Sequence, residues 1–460
     1  MQRLIGMVVF TVVLPLLMVL LAMGAYLAAG GLASLFAAQG WPPSYGAAIA
    51  NILILLLVVV MVVGSGLTVG ERKWSAMIQN RIGPNRIRFL GTSAGGIYFL
   101  IADALKMLTK ENIRPSQRSR VLYELAPIAA FAPAFVLFAV VPVGDAVQVF
   151  GQTVSLQVAS IDAGLLFVFG TASIAVYGTA LAGWSSNSKL AMLGGVRASS
   201  QMIGYEVSLG LSLVGSMMAY GSLRLEQMVQ GQGQLLWGFL PALGFFLQPV
   251  GLLVFFTSAF AETKRAPFDL PEGESEIVGY FVEYPGMKFG MMMLSEFIEI
   301  VVLAGITAAI FFGGWHPILF EGWLRETLSP LWFAAVGAGS FLVKMLLLCW
   351  VQLVVRWTLP RFRFDQIQKL CWKILLPVTL ANVFITGALI LIDPSLELLA
   401  VVGLVEIVAM GLITAAVTGK STAPERSLLV HGHGADPHAA GAHVAHDAPG
   451  AHPAPAPAGH

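Results

Sequence analysis

Several carboxylates and one lysine sit where an apolar chain has little reason to keep them. Glu206 lies in QMIGYEVSLGLSL, Glu296 and Glu299 in MMMLSEFIEIVVL, and Lys344 in GSFLVKMLLLCW, while Glu124 opens another apolar run. An ionisable group in such surroundings is costly and defaults to a functional reading. Glu296 and Glu299 are three residues apart, so a helix presents both on one face. Facing one another in a bundle, these groups could relay protons; each could instead pair with a neighbour that satisfies its burial. Glu206 is the residue on which a relay is expected to turn, because a carboxylate at the start of an apolar span is easily reprotonated.

The densest stretch is 262–288, ETKRAPFDLPEGESEIVGYFVEYPGMK. It carries six carboxylates (Glu262, Asp269, Glu272, Glu274, Glu276 and Glu283) and three cations, Lys264, Arg265 and Lys288. Like charges this close do not all ionise cheaply, so some of these carboxyls should titrate high, which suits proton uptake at a membrane mouth. A solvated acidic loop is the plainer alternative. A second stretch, ERKWSAMIQNRIGPNRIR at 71–88, turns at Gly83-Pro84 between cationic arms. Its arginines could hold lipid headgroups, an acidic partner or the carbonyl oxygens of a quinone. No phosphate-cradling glycine loop and no HExxH or CxxC pattern occurs. Cys349 and Cys371 are two thiols, too few for an iron–sulfur cluster, and are read as apolar-face residues. His316 is a lone histidine in a short loop, read as structural.

The elements that position these groups must be membrane helices. The 460 residues are 57% hydrophobic and 11% charged, with net charge +1. That is less than half the usual charged fraction, about 25%, of soluble proteins. The near-neutral balance suggests no nucleic-acid partner. A span needs about 20 apolar residues, and ten segments qualify: 7–29, 47–69, 125–143, 163–183, 203–220, 243–261, 294–313, 332–355, 373–392 and 397–418. Such long apolar runs exclude a β-barrel. Lysine and arginine sort with these spans. The loop 70–124 holds ten, further cations fill the loops near 184–202, 262–290 and 356–373, and the alternate loops keep only Arg224 and Arg325. The positive-inside rule then places the rich loops and both termini in the cytoplasm. Segment 96–110, GIYFLIADALKMLTK, is predicted as a helix at the interface. Residues 1–38 are expected as a retained helix, longer than a signal peptide's apolar core. Residues 421–460 hold seven of the eight histidines among Ala, Pro and Gly, a composition that cannot bury a core.

Six motifs in order carry a family resemblance: ERKWSAMIQNRIGPNR, IADALKMLTKE, GWSSNSKLAMLGGVRASSQMIGYEV, AETKRAPFDLPEGESE, VEYPGMKF and LPRFRFDQIQKLCWKILLP. From about 47 to 392 the chain resembles the quinone-chamber membrane subunits of bacterial NADH:quinone oxidoreductase (complex I), the counterparts of mitochondrial NADH dehydrogenase subunit 1. The resemblance implies an all-α polytopic membrane protein with an eight-helix core at 47–392. This chain adds a helix at 1–38, a helix at 397–418 and the tail 421–460.

The resemblance also implies roles. Glu71, Arg72, Arg81, Asp103, Ala104 and Lys106 would line a quinone tunnel or its mouth. Arg197, Arg265, Asp269, Glu272, Glu274 and Glu276 would lie beneath the chamber. Glu206, Glu124, Glu262, Glu283 and Glu296 would form a buried carboxylate proton path into the membrane arm, and Lys344 also matches a family position. Quinone is then the substrate. Metal, flavin and iron–sulfur clusters are expected on other subunits, those of the membrane and peripheral arms being the partners. The setting would be the bacterial inner membrane. Lys264 stands where the family commonly has asparagine. The competing reading is a homologous anchor in a membrane-bound hydrogenase-type complex, which gene neighbours would separate. A stand-alone transporter is disfavoured, because such folds usually show internal repeats and none is found here.

Overall fold

The computed structural model describes residues 13–88, 96–273, 276–317 and 321–419. The fold is an all-α polytopic membrane protein. Among the described residues nine helices are long and apolar enough to cross a bilayer. These are α1 (Leu14–Ala38), α2 (Pro43–Ile78), α4 (Arg120–Val140), α5 (Gly164–Ser185), α6 (Lys189–Tyr220), α9 (Met287–Phe311), α10 (Pro330–Thr358), α11 (Phe364–Ile392) and α12, whose crossing part is Glu397–Ala416. Between them lie α3 (Tyr98–Thr109), α7 (Leu225–Gln232) and α8 (Pro249–Glu262). Two compact units meet at Glu406 and Ile407, inside α12. The ionisable groups of the candidate site all belong to the first unit.

The tenth predicted span, 243–261, is shorter than expected. Its apolar run continues unbroken, but the helix restarts at Pro249 after a separate turn at Gly244–Leu247. Proline lacks the N–H and fits only the first turn of a helix. Gln248 sits at the break with an extended φ of −140°, and its side chain is buried. Its amide donates to Thr386 Oγ1 at 2.8 Å and accepts from Asn382 Nδ2 at 2.8 Å. A break inside a bilayer is tolerated where neighbours supply such bonds.

Alternation in GDAVQVFGQTVSL produces a hairpin that hydropathy alone does not reveal. Strands β1 (Gly144–Val149) and β2 (Gln152–Leu156) pair antiparallel, Val149 facing Gln152. The two linking residues, Phe150 and Gly151, have φ of +51° and +78°, the signature of a type I′ turn. The hairpin is tied to three helices. Tyr26 of α1 donates to Asp145 O at 2.7 Å. Asn51 of α2 donates to Ser155 O and Gln157 O at 2.9 and 2.8 Å. Gln157 in turn donates to Val140 O, at the end of α4, at 2.9 Å.

At the centre is α9, apolar on nearly every side and correspondingly buried all round. It packs against α2, α4 and α10. Gly64 of α2 permits one close approach, since a Cβ there would come within 3.3 Å of Ile298. Seven residues on, and so on the same face, stands Glu71. That contact brings Glu71 toward the carboxylates of α9. The helix α3 has no buried residue, consistent with a segment lying along a surface.

Candidate functional site

An alternating acid–base cluster sits where α2, α9, α10 and the 263–273 loop meet. Glu71 is paired on two sides, with Arg265 Nη1 at 3.3 Å and with Arg356 Nη1, from the last turn of α10, at 2.5 Å. Arg265 also reaches Glu296 Oε2 at 3.3 Å and lies 4.2 Å from the centroid of the Phe297 ring. Glu296 is fully buried and accepts from Tyr280 Oη at 3.0 Å. Lys264 Nζ approaches the same carboxylate to 3.9 Å. A close approach of α6 to the loop seats Tyr280, because Gly194 has room for no Cβ: one would lie 2.9 Å from Tyr280 N.

The pairing is incomplete. Arg265 Nη2, Glu296 Oε2 and Glu272 Oε1 are buried without an aligned hydrogen bond, so the 3.3 Å contact between Arg265 and Glu296 is held by charge more than by geometry. Burial pushes the Glu272 carboxyl well above its usual range, and the neighbouring Glu296 reinforces this. Burial likewise raises Asp269 to about 6, against the pull of Arg361 and Arg356. Arg361 donates to Asp269 O. Buried unpaired polar groups are uncommon in folded proteins, and shifted carboxyls gather at functional sites.

A second group continues from the first. Glu206 of α6, Glu262 at the end of α8 and Glu299 of α9 line one narrow cavity of 20 Å³ with Leu137, Phe169 and Val302. That volume admits about one water. Glu262 Oε2 and Glu299 Oε2 have no hydrogen-bond partner among the described residues. Ser173 of α5 donates to Glu206.

Nearer the surface, Arg72 pairs with Asp103 of α3 at 3.4 Å and stacks 4.4 Å over the Phe99 ring. Arg72, Arg81, Asn85, Arg86 and Phe99 line an open cavity of 560 Å³. Ala104 and Lys106 are exposed on α3. Arg197 pairs with Glu276 at 3.2 Å, away from the buried cluster.

Of the five residues assigned to a carboxylate path, Glu206, Glu262 and Glu296 fall within these two groups. Glu124 is 44% exposed and forms its own ion pairs, with Lys288 at 2.6 Å and Arg114 at 3.6 Å. Glu283 is half-buried, and its backbone carbonyl accepts from Tyr123 Oη at 2.6 Å. Glu274 lies outside the described residues. Lys344 donates to Gly314 O and His316 O at 2.9 and 2.6 Å. His316 Nδ1 is 3.0 Å from Glu321, and that bond, with the cation beside it, holds the Glu321 carboxyl below its usual range. Cys349 and Cys371 are free and buried. Sequence reasoning assigned no site role to Arg356, which reads as an ordinary cytoplasmic-end anchor, or to Tyr280, which reads as a loop aromatic. Their tie to Glu71 and Glu296 is visible only in three dimensions.

The NADH dehydrogenase family profile matches residues 50–387, a stretch that contains both acid groups and the arginine-lined cavity. The chain belongs to this family. This NADH dehydrogenase-family chain is 42% identical over 341 residues to an NADH-quinone oxidoreductase H-type subunit from Geobacter metallireducens, covering 74% of the chain and 95% of that protein. It is 36% identical over 341 residues to the corresponding NADH-quinone oxidoreductase subunit of Flavobacterium johnsoniae, covering 74% and 94%. It is 41% identical over 353 residues to the Bdellovibrio bacteriovorus protein of the same name, covering 70% and 90%. Helices α1 and α12 lie outside the residues matched by the profile.

Proposed function

We propose that this chain is the membrane subunit of a proton-translocating NADH-quinone oxidoreductase, walling its quinone chamber and linking quinone reduction to a buried carboxylate path. The observation that carries this reading is the succession of the buried acids and bases Glu71, Arg265, Glu296, Glu299 and Glu262, ending at the half-buried Glu206. Quinone reduction consumes two electrons and two protons. The electrons arrive on other subunits of the membrane and peripheral arms. This chain contributes the protein wall and the charges that respond when the headgroup becomes an anion. Quinone enters past the cavity of Arg72, Arg81 and Phe99, where guanidinium donors meet its carbonyl oxygens. Glu272 and Asp269, protonated more readily than ordinary carboxyls, lie near Glu296.

The reading includes an orientation. The lysine- and arginine-rich loops and both termini face the cytoplasm of a bacterium, the chain sitting in its inner membrane. Residues 47–392 form the family core, with added helices at Leu14–Ala38 and Glu397–Gly419; the tail 421–460 lies outside the described residues.

Glu206 tests the path. In the assembled complex Glu206→Gln keeps the shape of the side chain but holds no exchangeable charge. It should lower coupled quinone reduction by roughly tenfold or more, a modest loss for a proton-transfer group, while Glu206→Asp retains part. NADH:ferricyanide activity on the same membranes reports assembly. Undiminished proton pumping by fully assembled Glu206→Gln would overturn the path.

A further inference from the structure

Lys264 carries a charge that the path above does not require. Its side chain is 1% exposed. It follows the end of α8, and its φ of +55° lies in the left-handed region that residues with a Cβ rarely adopt. Glu296, its nearest carboxylate at 3.9 Å, already has Arg265 at 3.3 Å and the Tyr280 hydroxyl at 3.0 Å. A lysine buried only to neutralise Glu296 would be expected within hydrogen-bond distance. Instead Nζ stands off, 5.7 Å from the Tyr280 ring centroid, and its field is divided. The charged and titratable groups that face it are Glu296 and Glu299 from α9, Glu262 from α8, and Arg265, Glu272 and Tyr280 from the loop. Glu262 and Glu299 share the 20 Å³ cavity with Glu206 of α6. Lys264 therefore lies between the group around Glu71 and Glu296 and the group around the cavity.

We infer that Lys264 is a counter-ion shared between Glu296 and the Glu262/Glu299 pair, and that it passes a change of charge from one group to the other. The inference rests on the carboxylate path proposed above. When Glu296 gains a proton it no longer holds the ammonium. The whole of that positive charge then acts on Glu299 and Glu262 and favours their ionised forms. A proton arriving from the chamber side forms one O–H at Glu296; one O–H breaks at Glu299 or Glu262, and that proton forms an O–H on the Glu206 carboxylate across the cavity. Lys264 keeps its three protons, and the carboxyls together gain the one proton that entered. Lys264 is a positioning residue in this step, acting through the carboxylates.

The test uses the assembled membrane complex carrying Lys264→Met, Lys264→Arg or Glu206→Gln, with NADH:ferricyanide activity as the assembly control. An opposite charge at this range moves a carboxyl by about 1–3 pH units. Without it the cavity carboxyls hold their protons more tightly. Lys264→Met should therefore shift the pH profile of coupled quinone reduction upward by about that amount and lower the protons moved per electron pair. Lys264→Arg should restore both. A residue that served packing alone would leave the profile in place. An unshifted profile with undiminished pumping in Lys264→Met overturns the shared counter-ion while Glu206→Gln remains impaired; undiminished pumping in Glu206→Gln overturns the path itself. Should Lys264→Met not assemble, Lys264→Gln keeps a polar group without the charge and leaves Glu296 in place, and should show the same profile shift, an unshifted one overturning the inference. On the wild-type complex, infrared difference spectra on quinone reduction should show protonated carboxyl signals appearing, for Glu296 and Glu206, as one from the cavity pair disappears. A gain with no paired loss overturns the inference.

Discussion

Arginine at positions 72 and 81 faces an open cavity, whereas Arg265 is held between the buried carboxylates Glu71 and Glu296, and Arg356 pairs with Glu71. The two settings separate binding from assembly. Replacing Arg72 or Arg81 by alanine removes a charge-assisted hydrogen bond worth about 1.5–3 kcal/mol, which corresponds to a roughly ten- to hundredfold rise in the apparent KM for quinone. NADH:ferricyanide activity should be unchanged; equal loss of both activities would indicate failed assembly instead. Individual residues were legible in the sequence because an ionised side chain in an apolar run is conspicuous. Their partners were not. Glu71 and Arg265 are 194 positions apart, and no local pattern announces that they meet. Glu124 opens an apolar run and so resembles the buried acids, yet it is half-exposed near the start of α4, where Lys288 and Arg114 reach it.

Helices were legible by length and hydropathy wherever a run was continuous, and their ends were not. The segment near 243–261 is apolar throughout, so hydropathy does not register that Gln248 interrupts it; the signal is the proline at 249, with its missing N–H. The hairpin escapes notice because thirteen residues of alternation between two long apolar runs are a weak pattern beside them. The break at Gln248 has a testable energetic role. Gln248→Ala leaves Asn382 Nδ2 and Thr386 Oγ1 without the partner that joins them, at a cost of about 1–3 kcal/mol for buried groups. The purified complex should lose thermal stability. Gln248→Glu keeps the shape and an acceptor but loses the amide donor, and should recover part of the stability. No change in Gln248→Ala would mean that α8 and α11 are held together by packing alone.

Across the whole chain, charge placement predicts topology in a way that no single helix does. With the broken segment 244–262 counted as a crossing beside the nine spans of the described residues, ten crossings would return the chain to the side from which it started and put the cation-rich loops on one face. A reporter active only outside the cytoplasm, fused after Lys420, should therefore stay silent. A strong signal there would remove one crossing from the count. The hairpin ties have a mechanical consequence at this scale. The 36 residues of α2 span roughly 54 Å at about 1.5 Å per residue, and bonds from Asn51 to the hairpin hold the end remote from Glu71. The helix is thus a lever with its fulcrum at Asn51 and its load at Glu71. Glu71 lies 20 residues beyond Asn51 (71 − 51), a lever arm of about 30 Å at the same rise. One degree of tilt at the fulcrum displaces it by roughly 0.5 Å on that arm, so two or three degrees suffice to open or close its 3.3 Å contact with Arg265.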